Sequence, residues 1–168
     1  MCSSDLTGAS GAGGLSLQGV FRLRTLDEVP TLARALAARC PNADGALLVL
    51  QELLINAIEH GNLAIDYASK TALVLAGQWH DEVLRRLEDP VLGAREVVVE
   101  LLRTAERVSV TITDQGAGFD WKEYLELSPE RAFDPNGRGI FLARTSGVHQ
   151  LTYAGAGNVV TATWRLDD

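Results

Sequence analysis

The sequence has little that would take it out of a reducing, aqueous compartment. Its 168 residues contain two cysteines, Cys2 and Cys40, and no CxxC pair, so neither a disulfide framework nor a thiolate metal site is indicated. No apolar leader follows Met1, and no apolar run approaches the ~20 residues that would cross a bilayer, so the expected setting is cytoplasmic, with no membrane contact. Basic residues are scarce. Fifteen Lys and Arg against twenty-two Asp and Glu leave a net charge of −7, which disfavours nucleic acid as a direct partner because neutralising its phosphates needs a basic field. A small anionic ligand would need local help from glycines, helix ends, a few arginines or a metal. The commoner nucleotide loops are missing too: there is no GxxxxGK[ST], and GAGGLS near the start lacks the strand and helix context of a dinucleotide fingerprint.

What is present fits one soluble domain. Residues 1–15, rich in Gly, Ser and Ala, could not bury a hydrophobic face and read as a disordered tail or linker, with a further domain joined upstream as one expectation. Residues 16–168 form the domain. LQGVFRL alternates as a strand; Thr25 with Glu28 fits a capping box, and Leu32, Leu36 and Arg39 continue a helix. Asn42 or Asp44 caps a second helix that runs to Gly61, where Gly61 and Asn62 supply a stop. Residues 66–89 read as one or two more helices, ended by Pro90. REVVVELL and ERVSVTIT form a hairpin, GRGIFLARTSG opens a helix, and VHQLTYA with VVTATWRL closes the chain as a second hairpin across GAGN. About five strands and four or more helices imply an α/β (α+β) two-layer sandwich, with a mixed, mostly antiparallel sheet covered on one face by helices.

The second helix carries an anomaly. In LQELLINAIEHGN, Glu52, Asn56 and Glu59 fall at about 0°, 40° and 340° around a regular helix and share one face, while Leu50, Leu53, Leu54 and Ala57 take the rest. A solvated face accounts for such a stripe in a generic amphipathic helix. Asn56 is the awkward member, because a mid-helix Asn competes for nearby backbone groups and suggests a task.

Two glycine loops follow. Asp114, Gly116 and Gly118 sit where a strand ends, and Gly137 and Gly139 open a helix. Either pair alone is an ordinary turn. Together they suit a nucleotide: a carboxylate at a strand end can accept from an exocyclic amine, flanking glycines admit a flat base, and free N–H groups after Gly139, with Arg138, suit phosphate.

ELLINAIEHGN resembles the N-box of the GHKL ATPases, the superfamily of gyrase, heat-shock chaperone and histidine kinase; DQGAG resembles their first glycine box and GRGI their second. Glu52 at the head of the N-box and the short path to GRGIFLARTSGV resemble the anti-sigma-factor serine kinases within it. The resemblance spans roughly residues 17–165. It implies the Bergerat fold and the cofactors ATP and Mg²⁺. It places Asn56 as the metal ligand, Glu52 as the catalytic carboxylate, Asp114 at the adenine amine, Gly116 and Gly118 at the ring, and Gly137, Arg138, Gly139 and Ile140 at the phosphates. Residues 119–136 correspond to the lid, in which Phe119, Trp121, Tyr124 and Phe133 are core-packing or partner residues.

Some features depart from that pattern. Glu59 could merely order its face, and His60 reads as a cap or packing residue. WHDEVLRR superficially looks like a phosphoacceptor box, but His80 follows the N-box rather than preceding it, so an autophosphorylating kinase is rejected. GAGN places Asn158 where the family often has threonine, with Thr161 as a substitute contact or a plain strand residue. The stretch 66–93 is longer than in compact anti-sigma factors and could be a dimer or partner surface. The expected function is an Mg-ATP-dependent serine/threonine kinase acting on an antagonist (STAS-like) protein and sequestering a sigma factor. The alternative is an ATP-binding regulatory module from a response-regulator or phosphatase-linked protein. Plain ATP hydrolysis driving a second domain is the third.

Overall fold

The computed structural model describes residues 5–9, 16–118 and 147–166. Six strands form one sheet in the order β1-β2-β3-β4-β6-β5, and every described pairing is antiparallel. They are β1 Asp5–Ala9, β2 Ser16–Leu23, β3 Val97–Arg103, β4 Arg107–Thr113, β5 Gln150–Ala154 and β6 Val159–Arg165. The helices are α1 Val29–Ala37, α2 Ala43–Asn56, α3 Tyr67–Leu75 and α4 Trp79–Glu88, with a π-helical turn over Ala57–Asn62. This is the expected two-layer α+β sandwich, and its sheet is more uniformly antiparallel than expected.

Alternation explains the layering. Val97, Val99, Leu101, Val108, Val110, Ile112, Val160, Ala162 and Trp164 are buried on one face of the sheet, against Leu32, Leu36, Val49, Leu50, Leu53 and Leu54 of α1 and α2. The opposite face carries Glu100, Ser109, Thr111, Thr161 and Thr163, two pairs of which join by hydroxyl contacts, Ser109 with Thr163 at 3.2 Å and Thr111 with Thr161 at 3.0 Å. One face of an antiparallel sheet can stay wet in this way.

Local chemistry sets the ends of the elements. Glu28 Oε2 accepts from the N–H groups of Arg24 (2.8 Å) and Thr25 (2.9 Å), so the expected capping box forms. Asn42 is the cap of α2, its side chain accepting from Gly45 N at 3.0 Å. The tail expectation needs correction: residues 5–9 form β1 and pair with Ser16–Val20 of β2. Backbone pairing is indifferent to small side chains, so a stretch with no hydrophobic face can still extend a sheet edge. The stretch after the N-box resolves into two helices, α3 and α4.

Candidate functional site

Leucines fix the helix that carries the site. Leu50, Leu53 and Leu54 are buried in the core, which turns Glu52 and Asn56, one helical turn apart, to a half-buried face. Glu59 leaves that pattern. It is buried to 1% exposure and ion-paired with Lys70 of α3, so the solvated-face reading fails for it. Burial pushes the Glu59 carboxyl up, the Lys70 ammonium opposes that, and the charge of Glu52 adds to the upward push. Glu52 and Glu59 therefore remain within electrostatic reach of each other.

The helical segment ends at Asn62, within the expected Gly61–Asn62 stop, but its last turn is not α-helical. From Ala57 to Asn62 it widens into a π turn, closed by Leu63 N donating to Ile58 O at 2.8 Å, an uncommon hydrogen-bond pattern that is often found at functional sites. Gly61 has no positive φ; that conformation falls instead on Ala64, at 54°. His60 packs: its ring stacks on Tyr67 at 3.8 Å, its Nδ1 meets Ile65 O, and burial pushes its pKa down. Arg86 of α4 donates to the carbonyls of Leu63 (2.7 Å) and Ala64 (2.6 Å), holding the turn that follows. His80 is exposed on α4.

The absent side chain of Gly61 has a different purpose. A Cβ there would lie 2.4 Å from Asp114 Cγ, and one on Gly116 would lie 2.5 Å from Gly61 O, so the end of the N-box helix and the Asp114 loop touch backbone to side chain. Asp114 itself is anchored at both ends. Its N–H donates to Asn158 O and its C=O accepts from Asn158 Nδ2, each at 3.0 Å, while its Oδ1 accepts from Gly116 N at 2.8 Å. Burial pushes the Asp114 carboxyl up, while the Gly116 N–H and the charge of Arg95 pull it down. Gly118 has φ +79°, open to glycine, and its Cα packs on Ala156 of the β5–β6 turn.

Three residues join this site that the sequence did not mark for it. Asn62, 1% exposed, accepts the N–H of Gln115 on Oδ1 at 2.7 Å. Arg95 donates to Asn62 O at 3.0 Å. Tyr153 of β5 has its hydroxyl pushed up by burial and then by the charge of Glu52, so the two lie within electrostatic reach of each other. Asn62 looked like a helix stop, Arg95 the start of a strand, and Tyr153 one residue of an alternating strand. Only the tertiary fold gathers them. Asn158, which departs from the familial threonine, is structural here through its clasp on Asp114. Gly137, Arg138, Gly139 and Ile140 and the lid stretch 119–136 lie outside the described residues. Among the described residues no group of three or more His, Cys, Asp or Glu is placed to hold a metal.

An antiparallel sheet with helices on one face, a polar N-box helix and a carboxylate loop docked on that helix define an ATPase-type nucleotide domain. The description "Histidine kinase-like ATPase domain" matches residues 22–164, and the chain belongs to that family. The match supports ATP binding and agrees with the GHKL-type resemblance. No curated protein matches the chain at a significant level. Among the described residues no helix is long and apolar enough to cross a membrane.

Proposed function

We propose that this domain binds Mg-ATP and transfers its γ-phosphoryl group to a serine of an antagonist (STAS-like) protein, regulating a sigma factor by partner switching. The observation that carries the reading is the junction at Gly61: the helix bearing Glu52 and Asn56 runs directly into contact with the Asp114 loop. A nucleotide laid along that junction would meet a base-reading carboxylate at one end and the helix face at the other.

The residues present fit such a ligand. Asp114 accepts from Gly116 N on Oδ1 and, among the described residues, leaves Oδ2 to accept from an exocyclic amine, and the packed glycines leave a floor without side chains. Asn56 offers a hard amide oxygen of the kind Mg²⁺ accepts, the other ligands coming from phosphate and water. The metal would neutralise phosphate charge alongside Arg138, in a chain whose net charge is −7. Glu52 would take the proton of the serine hydroxyl while that oxygen bonds the γ-phosphorus and the bridging oxygen leaves with ADP. Gly137, Arg138, Gly139 and Ile140 would hold the phosphates.

The test is transfer of label from γ-labelled ATP to an antagonist domain, with calorimetry on Mg-ATP, Mg-ADP and Mg-GTP alongside. Glu52→Ala should keep ATP affinity and abolish transfer, whereas Asp114→Asn should weaken binding by ~1–3 kcal/mol, the scale of a mispaired buried polar group. ATP binding without transfer by the parent protein would sink the kinase and leave the regulatory module, a reading that the wiring of α3 and α4 into the N-box turn favours.

A further inference from the structure

A polar lock lies at the last residue of the N-box. Asn62 is buried to 1% exposure at the end of the π turn, and its side chain holds not another side chain but the backbone of the residue after Asp114, through Gln115 N to Oδ1 at 2.7 Å. Three further contacts make the lock rigid. Arg95 fixes the Asn62 carbonyl at 3.0 Å, Gln115 Oε1 accepts Glu96 N at 2.8 Å, and Gly116 and Asp114 are pressed against Gly61 with no room for a Cβ. Asn62 Nδ2 is buried with no partner among the described residues. An unpartnered buried amide N–H is costly by about 1–3 kcal/mol, so the site tolerates it for the sake of what Oδ1 does, or completes it with water or ligand.

We propose that Asn62 is a specificity-determining positioning residue: it sets the Asp114 loop at the depth and angle that select an aminopurine, and so controls which base the site accepts rather than how firmly phosphates are held. The inference rests on the nucleotide reading above. Its physical content is that Asp114 can tell an amine from a carbonyl only if its free oxygen is fixed to within a few tenths of an ångström. The Asp114 loop has two clasps, Asn158 on one side and Asn62 on the other. Asn158 holds Asp114's own N–H and C=O, which fixes where the residue begins. Asn62 holds the Gln115 N–H, the opposite edge of the same planar peptide whose C=O Asn158 holds, so the plane that carries the carboxylate is pinned on both edges. Removing the second clasp leaves that plane held on one edge and able to rock without detaching the loop, so base discrimination falls before stability does.

The experiment compares the full chain with Asn62→Ala and, should that variant fold poorly, Asn62→Ser, whose hydroxyl still offers an acceptor. Affinities are measured for Mg-ATP, Mg-GTP and Mg-tripolyphosphate, the last reporting the phosphate end alone. The expected result is a drop of roughly tenfold in ATP affinity with tripolyphosphate affinity unchanged, the fold-change equivalent to one lost buried hydrogen bond, so that the ATP-to-GTP preference shrinks by the same factor. Parallel losses for all three ligands, or an unchanged ATP-to-GTP ratio in a folded variant, would overturn the proposal and leave Asn62 as a packing residue. A parent protein that prefers neither ATP nor GTP would overturn it too, by removing the nucleotide reading beneath it, and that outcome is told apart because it shows before any substitution is made.

Discussion

Gly61→Ala separates a steric reading of the site from a merely helical one. In a helix interior Ala is favoured over Gly by ~1 kcal/mol, and the φ of Gly61 is not positive, so propensity alone predicts a stabilised protein. The structure predicts the reverse. The new methyl would stand 2.4 Å from Asp114 Cγ and 2.5 Å from Asp114 Oδ1, about 1 Å inside ordinary contact, so the carboxyl must move by that distance. Moving it breaks the Oδ1 bond to Gly116 N, worth ~1 kcal/mol, and overpacking of a fixed region adds ~1–3 kcal/mol. Against the helix gain, the net is a loss of roughly 1–3 kcal/mol. Thermal denaturation reads this as a drop of roughly 2–4 °C per kcal/mol for a domain of this size. Calorimetry should also show ATP affinity falling at least tenfold, because displacing the carboxyl group carries its base-reading Oδ2 out of place with it. A variant with raised Tm and undiminished ATP affinity would refute the reasoning, since it would mean the two segments do not meet as described.

Two further perturbations probe the scaffold. Lys70→Met strips the counter-charge from buried Glu59 and should cost ~3–5 kcal/mol near neutrality; because burial already pushes Glu59 up from 4.5, its contribution is greatest below that value and is lost as pH rises through the folded pKa, so the variant's Tm should fall most steeply between mildly acidic and neutral pH. A flat Tm against pH would show that Glu59 is not titrating. Glu28→Ala removes half of the capping box before α1 and should cost ~1 kcal/mol in denaturant melts; burial alone would raise the Glu28 carboxyl, but the N–H groups of Arg24 and Thr25 bring it below 4.5, so this stabilisation is present above that value and should vanish as pH falls through the folded pKa.

Much of this architecture was readable in the chain because its cues are local. The Thr25 and Glu28 pair, the Asn42 cap, the β-branched runs of β3 and β4 and the leucine face of α2 each report on a few neighbouring residues, and each forms as expected. β1 was missed because Asp5–Ala9 lacks alternation and owes its place to the backbone of β2. The π turn was equally hidden, since α and π differ by one shift of hydrogen-bond partner, and here the shift accompanies packing against Asp114, Lys70 and Arg86 from elsewhere in the chain. At the site, the types and order of Glu52, Asn56, Asp114 and Gly116 suggested a nucleotide, but Asn62, Arg95 and Tyr153 reach it only across long sequence separations. Glu59 shows the limit of periodicity: a helical wheel places it beside Asn56, and a neighbouring helix covers it.

A helix that changes its pitch partway cannot turn as one rod. Upstream of Ala57 the segment is keyed to the core by leucines; downstream it is keyed to the Asp114 loop by Gly61 and Asn62, with Lys70 and Arg86 bracing it from the side. The wide turn between them lets each half satisfy its own neighbours without forcing the other off axis. Deleting a single residue from Ile58–Gly61 would remove the residue that widens the turn and shorten the path from Asn56 to the loop contacts, although the hydrophobic composition of the segment would scarcely change. Spacing between Asn56 and Gly61 is thus as much a part of the site as the side chains at either end.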